Sequence, residues 1–396
     1  MAMVFPFSTD NRTRVILSGL ATYSKIGGLQ QFNRRLVRNL AARAQDKRTS
    51  TEAIGLFYED RATVPPNIEG MTIHTSERNR VFAFKTLWTA VTKGDVLLIA
   101  HINLLPLAAL IHCLRPRMPI ILFVHGIEVW NLPTFRRRKW YEPLLVKCLT
   151  RVASVSQFTA DIMAREFRVP KSKFRLLPNA VDSAETPATL PAASLGKPAG
   201  TPTILSVARL NRVDRAKNFD KVIRAVALFS ERLPQVRYEI VGDGDLRPEL
   251  EALARELKID HQIHFLGRLS DTELASAYER ASVFIMPSTK EGFGIVYLEA
   301  WQYGVPVICA DVGAPKELID DGVDGFAVDP ENIEMVADRL ERILSDKESS
   351  LRMGANGRHK VETRYSNASF RANLDQILDE VLETGSSKKM VAHTSK

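Results

Sequence analysis

The chain has 396 residues, 45% hydrophobic and 25% charged, which excludes a disordered or fibrous polymer and suits a globular protein with more than one core. Its net charge of +8 conceals an asymmetry: residues 1–180 hold 27 Lys and Arg against 12 Asp and Glu, a net +15, and residues 181–396 hold 27 against 34, a net −7. A basic half attracts nucleic acid, anionic lipid or a phosphorylated substrate, and charge alone does not choose among them.

The N-terminus, "MAMVFPFSTDNRTRV", has no basic start followed by an apolar run, so no export signal is expected. Short β-rich apolar runs then alternate with helical patterns, the mark of a parallel sheet covered on both faces. In the first half strands are expected at 14–20, 52–58, 96–101, 120–125, 152–156 and 174–178, and helices at 29–44, 80–92, 104–114, 137–149 and 157–167. "DVLLIAHINLLPLAALIHCL" (95–114) is interrupted by Asp95, His101, Asn103, Pro106 and His112. Its apolar runs are too short to cross a bilayer, and strand, turn and helix account for it.

Three places in this half invite chemistry. "SKIGGLQQFNRRL" (24–36) puts Gly27 and Gly28 between the first strand and a helix, where bare backbone amides can approach a phosphate. "FVHGIEVW" (123–130) puts His125 at the carboxyl end of a buried strand, with Glu128 close behind as an acceptor-facing candidate. "PTFRRRKWYEPLLVKCLTRV" (133–152) joins a basic run to Trp140, Tyr141, Leu144, Leu145 and Leu149, a pattern read either as a peripheral membrane face or as a solvated loop feeding a packed helix. Ser156 and Thr159 form an N-cap pattern. Cys113, Cys148 and Cys309 stand singly and are expected to be buried thiols in a reducing compartment.

The stretch 183–200, rich in Ala, Pro, Ser and Gly, reads as a linker between domains 1–182 and 201–368. Strands resume at 203–210, 237–244, 263–267, 283–288 and 305–311, giving a second doubly wound sheet. A helix at 369–384 has no strand of its own and is expected to pack back on the first domain, with 385–396 a disordered tail. Open α/β sheets take ligands at the carboxyl ends of their strands, which makes the cleft between the domains the first place to look.

"EGFGIVYLEA" (291–300) holds two carboxylates eight positions apart. Gly292 and Gly294 bare the backbone before a helix starting near Ile295, so amides and a positive helix end point at one place, and an anion is expected there. Glu299 sits one turn further along an otherwise apolar helix and requires a hydrogen-bond partner, for which ligand hydroxyls are candidates. "VGDGDL" (241–246) contains Asp243 and Asp245, but a strand, tight turn and helix start account for it, and Arg247 stands where a dinucleotide fingerprint has glycine. Neither metal nor NAD is implied.

Glu-x7-Glu around Gly-Phe-Gly resembles the signature of the family 4 retaining glycosyltransferases, and the other motifs follow in that family's order along nearly the whole chain. The resemblance implies the GT-B fold, two Rossmann-like doubly wound α/β domains facing a central cleft, with donor on the C-terminal and acceptor on the N-terminal domain. "VARLNRVDRAKNFD" (207–220) resembles the family's diphosphate grip, assigned to Arg209 and Lys217, with Arg212 and Arg215 as alternatives. By the same resemblance Glu291 meets the donor sugar, Glu299 the ribose and His125 the sugar's far side. The Gly27–Gly28 loop closes over the diphosphate, and Gly292, Phe293, Gly294 and Ile295 line the donor site. Arg268 and Leu269 flank the base, with Ser270 or Asp271 at its edge.

The expected activity is metal-independent, cofactor-free retaining transfer of mannose or glucose from GDP-mannose, UDP-glucose or a related nucleotide sugar. The acceptor is a glycan or polyprenyl-diphosphate lipid, in exopolysaccharide or envelope synthesis, with the protein cytoplasmic or peripheral at the inner face of the membrane. The alternatives are a nucleotide-sugar epimerase or hydrolase of the same fold, and a basic nucleic-acid-binding protein. Donor base, linkage and oligomeric state are left open.

Overall fold

The computed structural model describes residues 12–25, 27–133, 135–182 and 201–393. Contacts divide the chain into two units, Met1–Pro178 with Arg371–Lys396, and Asn179–Phe370. The segment 183–200, read as a linker, lies outside the described residues.

The first unit runs β1 (Thr13–Leu20), α1 (Gly28–Gln45), β2 (Thr51–Tyr58), β3 (Met71–Ser76), α2 (Asn79–Thr92), β4 (Val96–Ile99), α3 (Leu105–Leu114), β5 (Ile120–Val124), α4 (Glu142–Leu145), β6 (Arg151–Ser154), α5 (Gln157–Phe167) and β7 (Phe174–Leu176). The strands form one parallel sheet in the order β3-β2-β1-β4-β5-β6-β7, with Thr13 opposite Thr51 and Leu20 opposite Tyr58. Val15, Ile16, Leu17, Leu97 and Leu98 are wholly buried, because helices cover both faces and the central strands must be apolar throughout. Right-handed crossovers put α1 on one face and α2 to α5 on the other. Alternate residues Leu97, Ile99, Ile120, Leu122 and Val124 share one core with Phe82 of α2, Ile111 of α3 and Phe167 of α5.

The second unit runs β8 (Thr203–Val207), α6 (Phe219–Phe229), β9 (Arg237–Val241), α7 (Arg247–Glu256), β10 (Ile263–Gly267), α8 (Asp271–Arg280), β11 (Val283–Met286), α9 (Ile295–Gln302), β12 (Val307–Ala310), α10 (Pro315–Leu318), β13 (Gly325–Val328), α11 (Ile333–Ser345) and α12 (Lys347–Arg364). Its parallel sheet has the order β10-β9-β8-β11-β12-β13. Each sheet therefore winds outward in both directions from one central pair, β1 with β4 and β8 with β11.

The last helix, α13 (Asn367–His393), belongs to the first unit from Arg371 onward. The buried Arg43 of α1 reaches Asp375 at 2.7 Å and also Asp379, and Arg151 and Arg175 both bond Glu380.

Four expectations are corrected. Strands β3 and β13, each at a sheet edge, were not anticipated; β3 alternates polar with apolar and β13 is four residues opened by glycine. The helix expected over 137–149 is one turn, α4, followed by a 3₁₀ turn at Val146–Cys148. Pro143 holds its start, since proline excludes a helix running through it from upstream. The segment from 385, expected to be disordered, continues α13 to His393. Cys113 is exposed, whereas Cys148 and Cys309 are buried as expected.

Candidate active site

The centre of the second sheet builds the more complete site. The loop leaving β8 and the loop leaving β11 emerge side by side where the connections diverge, the place at which open α/β sheets take ligands. Lys217 at the end of the first loop bonds the carboxylate of Glu291 in the second. Thr289 N–H donates to Ala216 O at 3.0 Å, and the buried Asn218 amide donates to Pro287 O at 2.7 Å. Asn218 is left-handed (φ 62°) and starts α6, a conformation that asparagine tolerates well. Two cations and a carboxylate proposed from sequence thus lie on adjoining loops, and a bond joins two of them across 74 residues.

The arginines differ in what they hold. Arg212 pairs with Glu249 at 3.2 Å, Arg215 bonds the same carboxylate, and both are thereby drawn toward α7. The Arg209 side chain is 77% exposed and, among the described residues, pairs with Asp214 at 3.5 Å. Behind this loop the "VGDGDL" turn packs so tightly that a Cβ on Gly242 would lie 1.8 Å from Ala208 O. Asp243 accepts Gly244 N–H at 2.9 Å and Asp245 accepts Arg212 N–H at 2.8 Å, so both aspartates shape backbone.

Helix α9 begins at Gly294, whose φ of 95° suits glycine, and a Cβ there would lie 2.4 Å from the Tyr297 ring. The buried Tyr297 hydroxyl donates to Met286 O, which ties the first turn of α9 to β11. Phe293, expected at the donor, is 3% exposed with its ring edge-on to Tyr365 at 5.9 Å; it packs the core beneath the loop. Gly292 and Ile295 lie half-buried on either side. Glu299 accepts from the Tyr278 hydroxyl at 2.8 Å, and Tyr278 stacks on Tyr303 with centroids 5.6 Å apart. Burial first, and then the Glu299 charge, push the Tyr278 phenol well above its usual range, so it remains a donor at any working pH. The partner that Glu299 required is therefore a tyrosine, which sequence reasoning missed.

After β10, Arg268 is exposed and Leu269 half-buried. Ser270, one of the two candidates for a base edge, instead forms a capping box with Glu273 that starts α8.

In the first unit the corresponding loop leaves β1. The fully buried Glu59 carboxylate accepts the N–H groups of Thr22, Tyr23 and Ser24 at 3.0, 3.1 and 2.9 Å. Arg34 Nε donates to Thr22 O at 3.0 Å and its Nη2 to Lys25 O at 3.1 Å. This anchoring sets where Gly27 and Gly28 open α1, and among the described residues beyond its chain neighbours and its own helix backbone nothing lies within 4 Å of the Cβ position at Gly28. A single glutamate after a strand carries no sequence signal for that role.

His125 follows β5. Its ring meets Phe32 edge-on at 4.6 Å, its backbone N–H donates to the Glu128 carboxylate, and its Nε2 is buried without a partner among the described residues. Glu128, expected to face an acceptor, is buried and turned to His125. Burial pulls the His125 pKa down to about 4, and burial does the same to His101, also to about 4, against the opposing pull of Glu128. Both imidazoles are neutral near pH 7.

Residues 191–360 match the family model "Glycosyl transferases group 1" and residues 26–185 the model "Glycosyltransferase Family 4". The chain is 31% identical over 275 residues to a GDP-mannose-dependent alpha-(1-6)-phosphatidylinositol monomannoside mannosyltransferase of Mycolicibacterium smegmatis, covering 65% of this chain and 69% of that one. It is 33% identical to a lipopolysaccharide core biosynthesis glycosyltransferase of Rhizobium meliloti, over 47% of this chain and 52% of that one. Matches to several curated relatives span about half of their length, from 41% to 61%. HepE of Anabaena, solved in complex with UDP-glucose, superposes with a TM-score of 0.69 at 19% identity, over 92% of this chain and 99% of that one.

Proposed function

Because the chain belongs to the family 4 glycosyltransferases and has their GT-B fold of two Rossmann-like parallel-sheet domains, we propose that it is a retaining hexosyltransferase. It moves mannose or glucose from a GDP- or UDP-sugar to a glycan or polyprenyl-diphosphate-linked acceptor in bacterial envelope or exopolysaccharide synthesis, the lipid acceptor at the cytoplasmic leaflet. The observation that carries the reading is the pair of loops after β8 and β11, joined by Lys217 and Glu291 beside the open start of α9. The relatives' printed names, a GDP-mannose-dependent mannosyltransferase and a lipopolysaccharide glycosyltransferase, and the UDP-glucose bound to HepE support the substrate classes.

In this mechanism the bond from the anomeric carbon to the donor diphosphate breaks as the acceptor oxygen bonds the same face of that carbon. The acceptor proton passes to the departing phosphate oxygen. Negative charge growing on the diphosphate is met by Arg209, Lys217 and the amides at 292–294, and preorganised charge of this kind is normally the largest contribution to such a rate. The ammonium of Lys217 has three donors, so it grips a phosphate oxygen while keeping Glu291 turned to the sugar. Glu299, steadied by Tyr278, accepts from the ribose hydroxyls. No protein nucleophile is invoked, and no metal or cofactor is required.

The test is product analysis with labelled UDP-glucose and GDP-mannose and a lipid-diphosphate acceptor. Label recovered in the acceptor with retained anomeric configuration supports the reading. Label recovered only as free or epimerised sugar would reassign the site to a hydrolase or epimerase.

A further inference from the structure

We propose that the outer face of α2, α3 and α4 is a docking surface for an anionic lipid bilayer. The three helices cover one face of the first sheet, and their inward residues share one core with it. Their outward residues are apolar at helical spacing: Phe84 and Trp88 on α2, Leu110 and Leu114 on α3, Trp140 and Leu144 at α4. Phe84 is 64% exposed, Trp88 57% and Trp140 83%, and the first two stack with centroids 6.2 Å apart. Large aromatic side chains left in water on adjoining helices mark a surface that something else covers.

The charge around them identifies what does. Lys85, Arg117, Arg137, Lys139 and Lys147 are exposed among these helices and their loops. Residues 77–147 contain four carboxylates, and three of them are taken: Asp95 accepts Arg14 N–H at 3.0 Å, Glu128 holds His125, and Glu142 pairs with Arg136. Only Glu77 is exposed. A second copy docking on this face through a two-fold axis would set cations against cations. A nucleic acid would satisfy the cations and leave the tryptophans and leucines in water. Anionic headgroups meet the cations while tryptophan, phenylalanine and leucine enter the headgroup and acyl boundary. Among the described residues no helix is long and apolar enough to cross a membrane, so the contact proposed is one that lies on the bilayer. The inference does not rest on the proposed reaction, since vesicle binding is measured without donor or acceptor.

The experiment is sedimentation of the full chain with vesicles of phosphatidylcholine alone or mixed with phosphatidylglycerol, followed also by tryptophan emission. Trp130 and Trp301 are buried at 6% and 0% exposure, so the exposed Trp88 and Trp140 report the contact. Wild type is expected to bind the anionic vesicles with a blue shift, and to release them as salt rises. Lys85→Glu and Lys139→Glu should each weaken partitioning about fivefold or more, and Phe84→Ser with Trp140→Ser should abolish the blue shift, circular dichroism confirming that each variant is folded. Equal binding to neutral vesicles, no binding by wild type, or unchanged binding by both sets of variants overturns the proposal. So does self-association, or binding of short duplex DNA in place of vesicles, that the same substitutions abolish. Loss of vesicle binding with transfer to a soluble acceptor intact leaves the proposed reaction standing.

Discussion

Lys217 and Glu291 form one ion pair, each holding the other in place, and both lie on loops at the carboxyl ends of neighbouring strands. Lys217→Ala is expected to lower kcat/KM by about 10²–10³, the usual cost of removing one preorganised charge from a developing oxyanion; a steady-state assay with the preferred donor checks it. Tyr278→Phe removes the hydroxyl that steadies Glu299 and should raise the donor KM about tenfold with little change in kcat, as expected for a hydrogen bond to a charged group. The folded pKa of His125, about 4, lies below the ordinary 6.5, so the unfolded chain binds the extra proton between those values. Stability from this group is fully present above about pH 6.5 and falls as pH drops toward 4; His125→Gln should flatten part of that loss in a series of Tm against pH, His101 acting in the same direction. The sequence pointed to the residues on which a motif resemblance or a glycine turn could fasten. It did not disclose Tyr278, Asn218 or Glu59, because each acts through a partner 21 to 69 positions away, and no local pattern records that distance.

Helix α9 depends on the glycine that opens it. Gly294→Ala forces a Cβ into the Tyr297 ring at a positive φ, and a cost of about 1–3 kcal/mol is expected from strain alone, measurable by chemical denaturation. The same change should weaken donor binding if the start of α9 holds the diphosphate. Helix α13 is held differently: Glu380 bonds both Arg151 and Arg175, and Glu380→Ala leaves two half-buried guanidiniums without that carboxylate. A loss of about 1–3 kcal/mol is expected by the same measurement. Central strands were legible because burial on both faces demands unbroken apolar runs such as Val15 to Leu17. Edge strand β3 was not, since one side of it meets water and the apolar signal thins, and β13 was not, since it is four residues opened by glycine. The helical stripe over 137–149 was real as amphipathicity but failed as a helix, Pro143 overriding it.

At the scale of the whole molecule, two units with the same doubly wound plan carry opposite charge, the basic half of the sequence preceding the acidic one. The plan was legible from alternation of strand and helix patterns and the charge from counting; the pairing of distant loops required the fold. Asp243 and Asp245 are occupied with backbone amides, and a chelator is accordingly expected to leave transfer unchanged within about twofold; strict dependence on a divalent ion would count against the proposed reaction. The most direct measurement is calorimetric titration of UDP, GDP and ADP into wild type and Glu299→Ala. One nucleoside diphosphate should bind wild type with a Kd between about 1 μM and 1 mM and lose about tenfold or more in the variant. Binding of none of the three, or equal binding by both proteins, would contradict the assignment of the donor site to the loops after β8 and β11.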